Sequence, residues 1–85
     1  MKVIGLIGGV SWYSTLEYYK IINTEVNKRL GGIHSAKLIL YSVDLGEIKY
    51  YQDSGEPEKA CRILVEAAKA LEKAGADFIL ICANT

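Results

Sequence analysis

The chain has 85 residues, of which 51% are hydrophobic and 24% are charged, and its ten basic residues balance ten acidic ones. This composition is typical of one small folded domain and argues against a disordered chain. A zero formal net charge excludes the broad positive field that binds nucleic acid, so we expect no nucleic-acid partner. The chain has neither a membrane-spanning apolar run nor the pattern of a secretion signal, which predicts a cytoplasmic protein without a membrane partner.

The first predicted strand is the apolar run 2–7, which ends at a pair of glycines. Branched apolar residues without polar alternation are typical of a strand that is buried on both faces. Ser14 and Glu17 have the spacing of a capping box, which predicts that a helix begins there and runs to Gly31 and Gly32. The buried stripe of this helix is expected to contain Leu16, Tyr19, Ile22 or Asn23, Val26 and Leu30.

Residues 36–43 form a second apolar run, which predicts a buried strand parallel to the first. Asp44 is a suitable N-cap for a short helix that extends to about Gln52. A longer amphipathic helix is expected to begin near Pro57 and to end at Gly75. Residues 77–82 then form a third buried strand. The alternation predicts an α/β fold with three layers, in which the strands of one parallel sheet have the order 2-1-3.

Ligands of open parallel sheets bind outside the carboxyl ends of the strands. Three segments are expected to meet at that edge, namely "GGVSWYS", "SVDLGEIKYYQ" and "CANT". Gly8 and Gly9 allow close approach of the backbone, and Ser11 and Ser14 precede or open a helix whose free N–H groups attract an anion such as a carboxylate. The alternative is a tight turn followed by a helix cap. The glycines fit neither the dinucleotide fingerprint nor the phosphate-binding loop.

Cys82 lies at the carboxyl end of the third predicted strand, where a thiol near helix N-termini can have a lowered pKa and act as a base or nucleophile. The alternative is an inert buried cysteine, and for Cys61, which borders the apolar face of the long helix, the core interpretation is stronger. Both are expected to be reduced thiols. Asn84 and Thr85 provide an amide and a hydroxyl that suit either a carboxylate ligand or a helix cap. Tyr50, Tyr51 and Gln52 could reach the same edge, and the alternative is that the tyrosines near this short helix are half-buried packing residues.

Four stretches together carry a resemblance to a known family: "IGLIGGVSWYST", "EYYKIIN", "RLGGIHSAKLILYSVD" and "AGADFILICANT". They resemble the N-terminal half of the aspartate/glutamate racemase family, and most closely its broad amino-acid racemase branch. The glycine turn followed by Ser-Trp and the C-x-N-T pattern are specific in combination. The resemblance covers essentially the whole chain.

The resemblance implies two similar α/β domains with an active site between them, of which residues 1–85 would supply only the N-terminal portion. We therefore expect a fragment that is inactive alone. Its expected partners are first the C-terminal domain of the same polypeptide and then a second copy of the protein in a homodimer. The implied activity is racemisation of an amino acid without pyridoxal phosphate or metal. Two residues, usually cysteines, flank the α-carbon of the substrate; one removes a proton and the other delivers a proton to the opposite face.

By this resemblance Cys82 is the catalytic residue of this half. The residues expected to bind the substrate are Val10, Ser11, Gln52, Ala83, Asn84 and Thr85. In the members with two cysteines the catalytic cysteine usually stands directly before Asn-Thr, whereas this chain has Ala83 there. Either the strand end bends to present Cys82, or this half lacks its acid/base residue.

Two other functions stay open at this point. One is a non-catalytic domain that binds a carboxylate, which the alanine at position 83 favours. The other is a flavodoxin-like module that binds a nucleotide, which the lack of a phosphate loop disfavours.

Overall fold

The structure is a computed structural model that describes residues 1–82. These residues form three strands and three helices. In chain order they are β1 (Ile4–Gly8), α1 (Trp12–Leu30), β2 (Leu38–Ser42), α2 (Leu45–Asp53), α3 (Pro57–Lys73) and β3 (Phe78–Ile81).

The three strands form one parallel sheet of order β2-β1-β3. In its register Leu6 lies opposite Leu40 of β2 and Leu80 of β3. The predicted order of 2-1-3 is confirmed. β1 is the central strand and pairs with a strand along each edge, and its residues Leu6 and Ile7 are almost completely buried.

The helices lie on opposite faces of this sheet. Side chains alternate along a strand, so Ile7 and Gly8 point to opposite faces. Ile7 belongs to the core cluster that contains Ala67 and Leu71 of α3. A Cβ atom placed on Gly8 would instead come within 2.7 Å of Thr15 Cγ2 of α1. The predicted arrangement of three layers is therefore confirmed.

The main core lies between the sheet and α3. The helix has Pro57 in its first turn, and Gly75 follows its end with a φ of 104°, as the sequence predicts. Ala60, Ala67 and Leu71 are buried at helical spacing. Removal of such apolar side chains from water is the main contribution to stability.

The predicted start of α1 at Ser14 is wrong. The helix begins at Trp12 with Ser11 as N-cap, and Ser14 lies buried inside the first turn. The first turn of α1 packs closely on Gly8, since a Cβ atom there would lie 2.7 Å from Thr15 Cγ2, and this contact favours small side chains. Ser14 and Thr15 meet that steric requirement, which a capping-box pattern does not reveal.

The predicted buried stripe of α1 is wrong at three of its positions. Leu16 is 59% exposed, Tyr19 54% and Leu30 53%. Ile22 and Val26 are partly buried. The face toward the sheet therefore contains Ser14 and Thr15, and it is rotated away from the largest apolar side chains.

The expectation that the second and third strands are buried is also wrong. β2 and β3 are the two outer strands of this sheet, and most of their residues are exposed. Cys61 is likewise exposed on α3 rather than in the core. None of the helices within residues 1–82 is long and apolar enough to cross a membrane.

We predict that Leu71→Ala lowers the free energy of unfolding by about 2–5 kcal/mol, because it removes a fully buried side chain and leaves a cavity. Val65 lies on the same helix and is 46% exposed, so Val65→Ala should change stability by no more than about 0.5 kcal/mol. Urea unfolding of both variants measures the difference. Equal losses would show that α3 does not pack on the sheet through Leu71.

Candidate functional site

One short stretch, the end of β1 and the turn after it, makes hydrogen bonds to the residues that follow β2 and β3 and to the first turn of α1. The Cys82 N–H donates to the Ile7 carbonyl at 2.9 Å, and the Val43 N–H donates to the Gly8 carbonyl at 2.8 Å. The Gly9 N–H donates to Thr15 Oγ1 at 3.0 Å. The consecutive residues Ile7, Gly8 and Gly9 therefore position the residues that follow β3, the residues that follow β2 and the first turn of α1, respectively.

The glycine pair is packed against the protein itself. Gly9 has a φ of 86°, and a Cβ atom there would overlap the Val43 carbonyl oxygen. A Cβ atom on Gly8 would lie within 2.8 Å of Leu40 Cδ1. The Gly9 N–H is already bound by Thr15. Of the two interpretations of this pair, the tight turn accounts for these contacts.

The N-terminus of α1 is the feature of this edge that suits an anion. Its N-cap Ser11 has an extended conformation with φ −148° and makes no side-chain capping hydrogen bond, and the first turn contains no acidic residue. Val10 and Ser11, which the resemblance assigns to substrate binding, are both partly buried here. The partial positive charge of the helix end is therefore not offset by a side chain of its own first turn or cap.

The N-terminus of α2 follows β2 at the same edge and has the opposite character. The Asp44 side chain accepts a hydrogen bond from the Gly46 N–H at 3.0 Å, and Glu47 lies in the first turn. The predicted Asp44 cap is confirmed. Of these two helix ends, α2 is already neutralised by its own carboxylates and α1 is not.

Cys82 directly follows β3, and its side chain is fully buried, with a relative exposure of 0%. Burial raises the pKa of the Cys82 thiol above its ordinary value, because the interior solvates a thiolate poorly. Within residues 1–82 this shift is opposite in direction to the lowered pKa that a nearby helix N-terminus would produce. The raised pKa favours the neutral thiol, which can donate a proton.

Gln52 lies in the last turn of α2 and is exposed. At 1.5 Å per residue it is roughly 10 Å along the helix from Leu45, which lies nearest the strand ends. Tyr51 is partly buried and packs against the main core, with its ring 5.5 Å from that of Tyr50. The packing interpretation of Tyr51 is confirmed.

The other substrate-binding residues expected from the resemblance are Ala83, Asn84 and Thr85, and they lie outside the described residues. Clefts of about 400 and 640 Å³ run along α1. Neither is lined by Val10, Ser11, Gln52 or Cys82. The edge that carries the candidate residues is thus not part of either cleft.

Two features of this edge were missed by sequence reasoning. Thr15 holds the glycine turn, and Trp12 and Tyr13 stack with ring centroids 3.8 Å apart while both stay exposed. The only sequence signal for the contact with Gly9 is the hydroxyl of Thr15, six residues later. That signal can be interpreted only when the start of α1 is known. Among residues 1–82 no group of three or more His, Cys, Asp or Glu side chains lies close enough to hold a metal ion.

We predict that Gly9→Ala is much more destabilising than Gly55→Ala. Both glycines have positive φ, at 86° and 73°, which costs an alanine about 1–2 kcal/mol. Gly55 has open space around its Cβ position, whereas Gly9 faces Val43. Overpacking should therefore add about 1–3 kcal/mol at Gly9 alone. Urea unfolding measures both losses, and equal values would contradict the close contact of Gly9 with β2.

We also predict a pH dependence of stability that comes from Cys82. A thiol whose pKa is raised by folding contributes its full stability below the unfolded pKa of about 8.5 and loses it as the pH rises through the folded value. The stability advantage of the wild type over Cys82→Ser should therefore shrink above pH ~8.5. Cys61→Ser should keep the wild-type profile because Cys82 is still present. A constant difference between wild type and Cys82→Ser would refute the raised pKa.

Comparisons with known proteins identify the family. Residues 7–85 match the model of the family described as Asp/Glu/Hydantoin racemase. The chain is 52% identical to a proposed Asp/Glu racemase from Yersinia pestis, whose crystal structure superimposes with a TM-score of 0.93. It is 40% identical to an aspartate racemase homologue from Pyrococcus horikoshii OT3, with a TM-score of 0.79. Each match covers 99% of this chain and 36% of the other, so the chain spans about a third of these solved relatives. The chain belongs to the Asp/Glu/hydantoin racemase family.

Proposed function

We propose that the protein catalyses racemisation of an amino acid without pyridoxal phosphate or metal. The observation that carries this proposal is the pairing, at one edge of the sheet, of the uncapped N-terminus of α1 with the buried strand-end thiol of Cys82. One group suits the carboxylate of an amino acid, and the other exchanges a proton with its α-carbon. Family membership supports a racemase in general terms.

The α-carboxylate would bind at the start of α1. Free N–H groups of the first turn, together with Val10 and Ser11, would contact it, and Asn84 and Thr85 would add an amide and a hydroxyl. Gln52 and Ala83 complete the proposed set. When the α-proton leaves, negative charge moves onto the carboxylate, where these groups stabilise it. An acidic residue in this turn would oppose that charge, and α1 has none there.

Cys82 would transfer the proton on one face of the α-carbon. Because burial favours the neutral thiol, we assign Cys82 as the acid in the resting state. A base on the opposite face takes the α-proton, and the Cys82 S–H bond breaks to deliver its proton to the carbanion, which leaves a thiolate and the other enantiomer. In the reverse direction the thiolate takes the proton.

The opposite face requires a second acid/base group, which we place in a second domain. We propose that residues 1–85 form the N-terminal part of a two-domain racemase and that they are inactive alone. Two observations support this division. The chain spans 36% of its solved relatives, and the outer strand β3 leaves Phe78, Leu80 and Ile81 largely exposed. The free thiols of Cys61 and Cys82 suit the reducing cytoplasm.

A second candidate is a domain that binds a carboxylate without proton transfer. The complete burial of Cys82 favours it, because a thiol that stays covered cannot reach an α-carbon. The same helix terminus would then serve binding alone. The two functions differ in one measurable result, which is exchange of the α-proton with solvent.

The test follows loss of the α-proton in D₂O by NMR, with the intact polypeptide and each chiral proteinogenic amino acid. Wild type should incorporate deuterium and produce the opposite enantiomer. Cys82→Ser should slow this by roughly 10²–10⁴-fold, the usual contribution of a general acid or base. Cys61→Ser is the matched control on an exposed cysteine and should keep full activity.

Three results would count against parts of the proposal. Full activity of Cys82→Ser would make Cys82 structural. Binding of an amino acid by wild type without any exchange would establish the binding domain instead. Exchange by residues 1–85 alone would refute the need for a second domain.

A further inference from the structure

We infer that Thr15 is a positioning residue of the proposed carboxylate site, an inference that rests on the proposed function. Its hydroxyl is buried and makes two hydrogen bonds. It accepts from the Gly9 N–H at 3.0 Å and donates to the Ser11 carbonyl at 3.2 Å. One side chain thus joins both ends of the segment from Gly9 to Ser11, which leads into the open end of α1.

This bridge is distinct from the hydrogen bonding of the helix itself. The Thr15 backbone N–H also donates to the Ser11 carbonyl, at 3.1 Å. The first turn of α1 therefore keeps its backbone bond when the hydroxyl is lost. Loss of the hydroxyl leaves the buried Gly9 N–H without its only hydrogen-bond partner among the described residues. The hydroxyl consequently fixes the turn before the helix rather than the helix.

The position of this turn matters for the proposed chemistry because the two reacting parts have separate anchors. Cys82 is held through the Ile7 carbonyl, whereas the carboxylate would be held by the segment that follows Gly9. The Thr15 hydroxyl ties that segment back to the end of β1. It thereby holds the segment on which the carboxylate would bind, so its loss should weaken binding rather than slow proton transfer.

Thr15→Val and Thr15→Ser separate this role from packing. Valine keeps the branched shape and removes both hydrogen bonds of the side chain. Serine keeps the hydroxyl and removes the methyl group that packs against Gly8. Thr24 supplies a matched control on the same helix, because its hydroxyl also donates to a carbonyl four residues earlier, at 2.7 Å, but on the exposed face.

The experiment measures two quantities in the intact polypeptide. One is KM and kcat for the amino acid that wild type racemises fastest, and the other is the hydrogen-exchange rate of the Gly9 amide by NMR. Thr15→Val should raise KM roughly five- to tenfold with little change in kcat, as expected for the loss of one net hydrogen bond in a binding element. Its Gly9 amide should exchange faster by a similar factor. Thr15→Ser and Thr24→Val should behave as wild type in both measurements.

An unchanged KM or an unchanged Gly9 exchange rate in Thr15→Val would overturn the inference. Loss of binding in Thr15→Ser as large as in Thr15→Val would also overturn it, because packing would then be the cause. If Thr15→Val does not fold, the comparison of Thr15→Ala with Thr15→Ser isolates the hydroxyl, because both variants lack the methyl group. A wild-type protein without activity would refute the proposed function instead, and the Gly9 exchange rates would then decide whether Thr15 holds the turn.

Discussion

The end of β1 is the constraint on which the rest of the structure depends. Its last peptide groups and the turn that follows bind a different segment each: β3 through the Ile7 carbonyl, β2 through the Gly8 carbonyl and α1 through the Gly9 N–H. A buried backbone N–H or C=O group without a hydrogen-bond partner costs free energy, so the folded state strongly favours keeping these three bonds. A displacement of this short stretch would move all three loops at the candidate site at once. The glycines are required here because backbone and Thr15 occupy the space of their side chains.

The order of the elements could be predicted from sequence because each signal is local. Pro57 marks a helix start and Gly31 a helix end, and apolar runs between such signals predict strands. Exposure could not be predicted in the same way. The apolar run 78–81 predicts a strand whether or not other parts of the protein cover it, so the exposure of β3 became evident only from the structure. The rotation of α1 was missed because it is set by a contact between Thr15 and residues six or more positions earlier.

The candidate site shows the same division between local and non-local information. The position of Cys82 at a strand end follows from the sequence, but its acidity does not. A nearby helix N-terminus lowers a thiol pKa and burial raises it, and these two effects oppose each other. For Cys82 the pKa is raised by burial, because its side chain is inaccessible to water in this structure. The extent of burial depends on three-dimensional packing, which a position at a strand end does not reveal.

The contrast between the two helix ends at this edge shows how the fold can favour a ligand without a dedicated cationic side chain. Both α1 and α2 begin at the carboxyl edge of the sheet, where the first N–H groups of each helix lack partners within the helix. In α2 the Asp44 carboxylate accepts a hydrogen bond from the Gly46 N–H, and Glu47 adds a second negative charge in the first turn. For α1 the corresponding cap, Ser11, leaves its side chain unused. An anion at the start of α1, such as the α-carboxylate that we propose, would do for α1 what the Asp44 carboxylate does for α2.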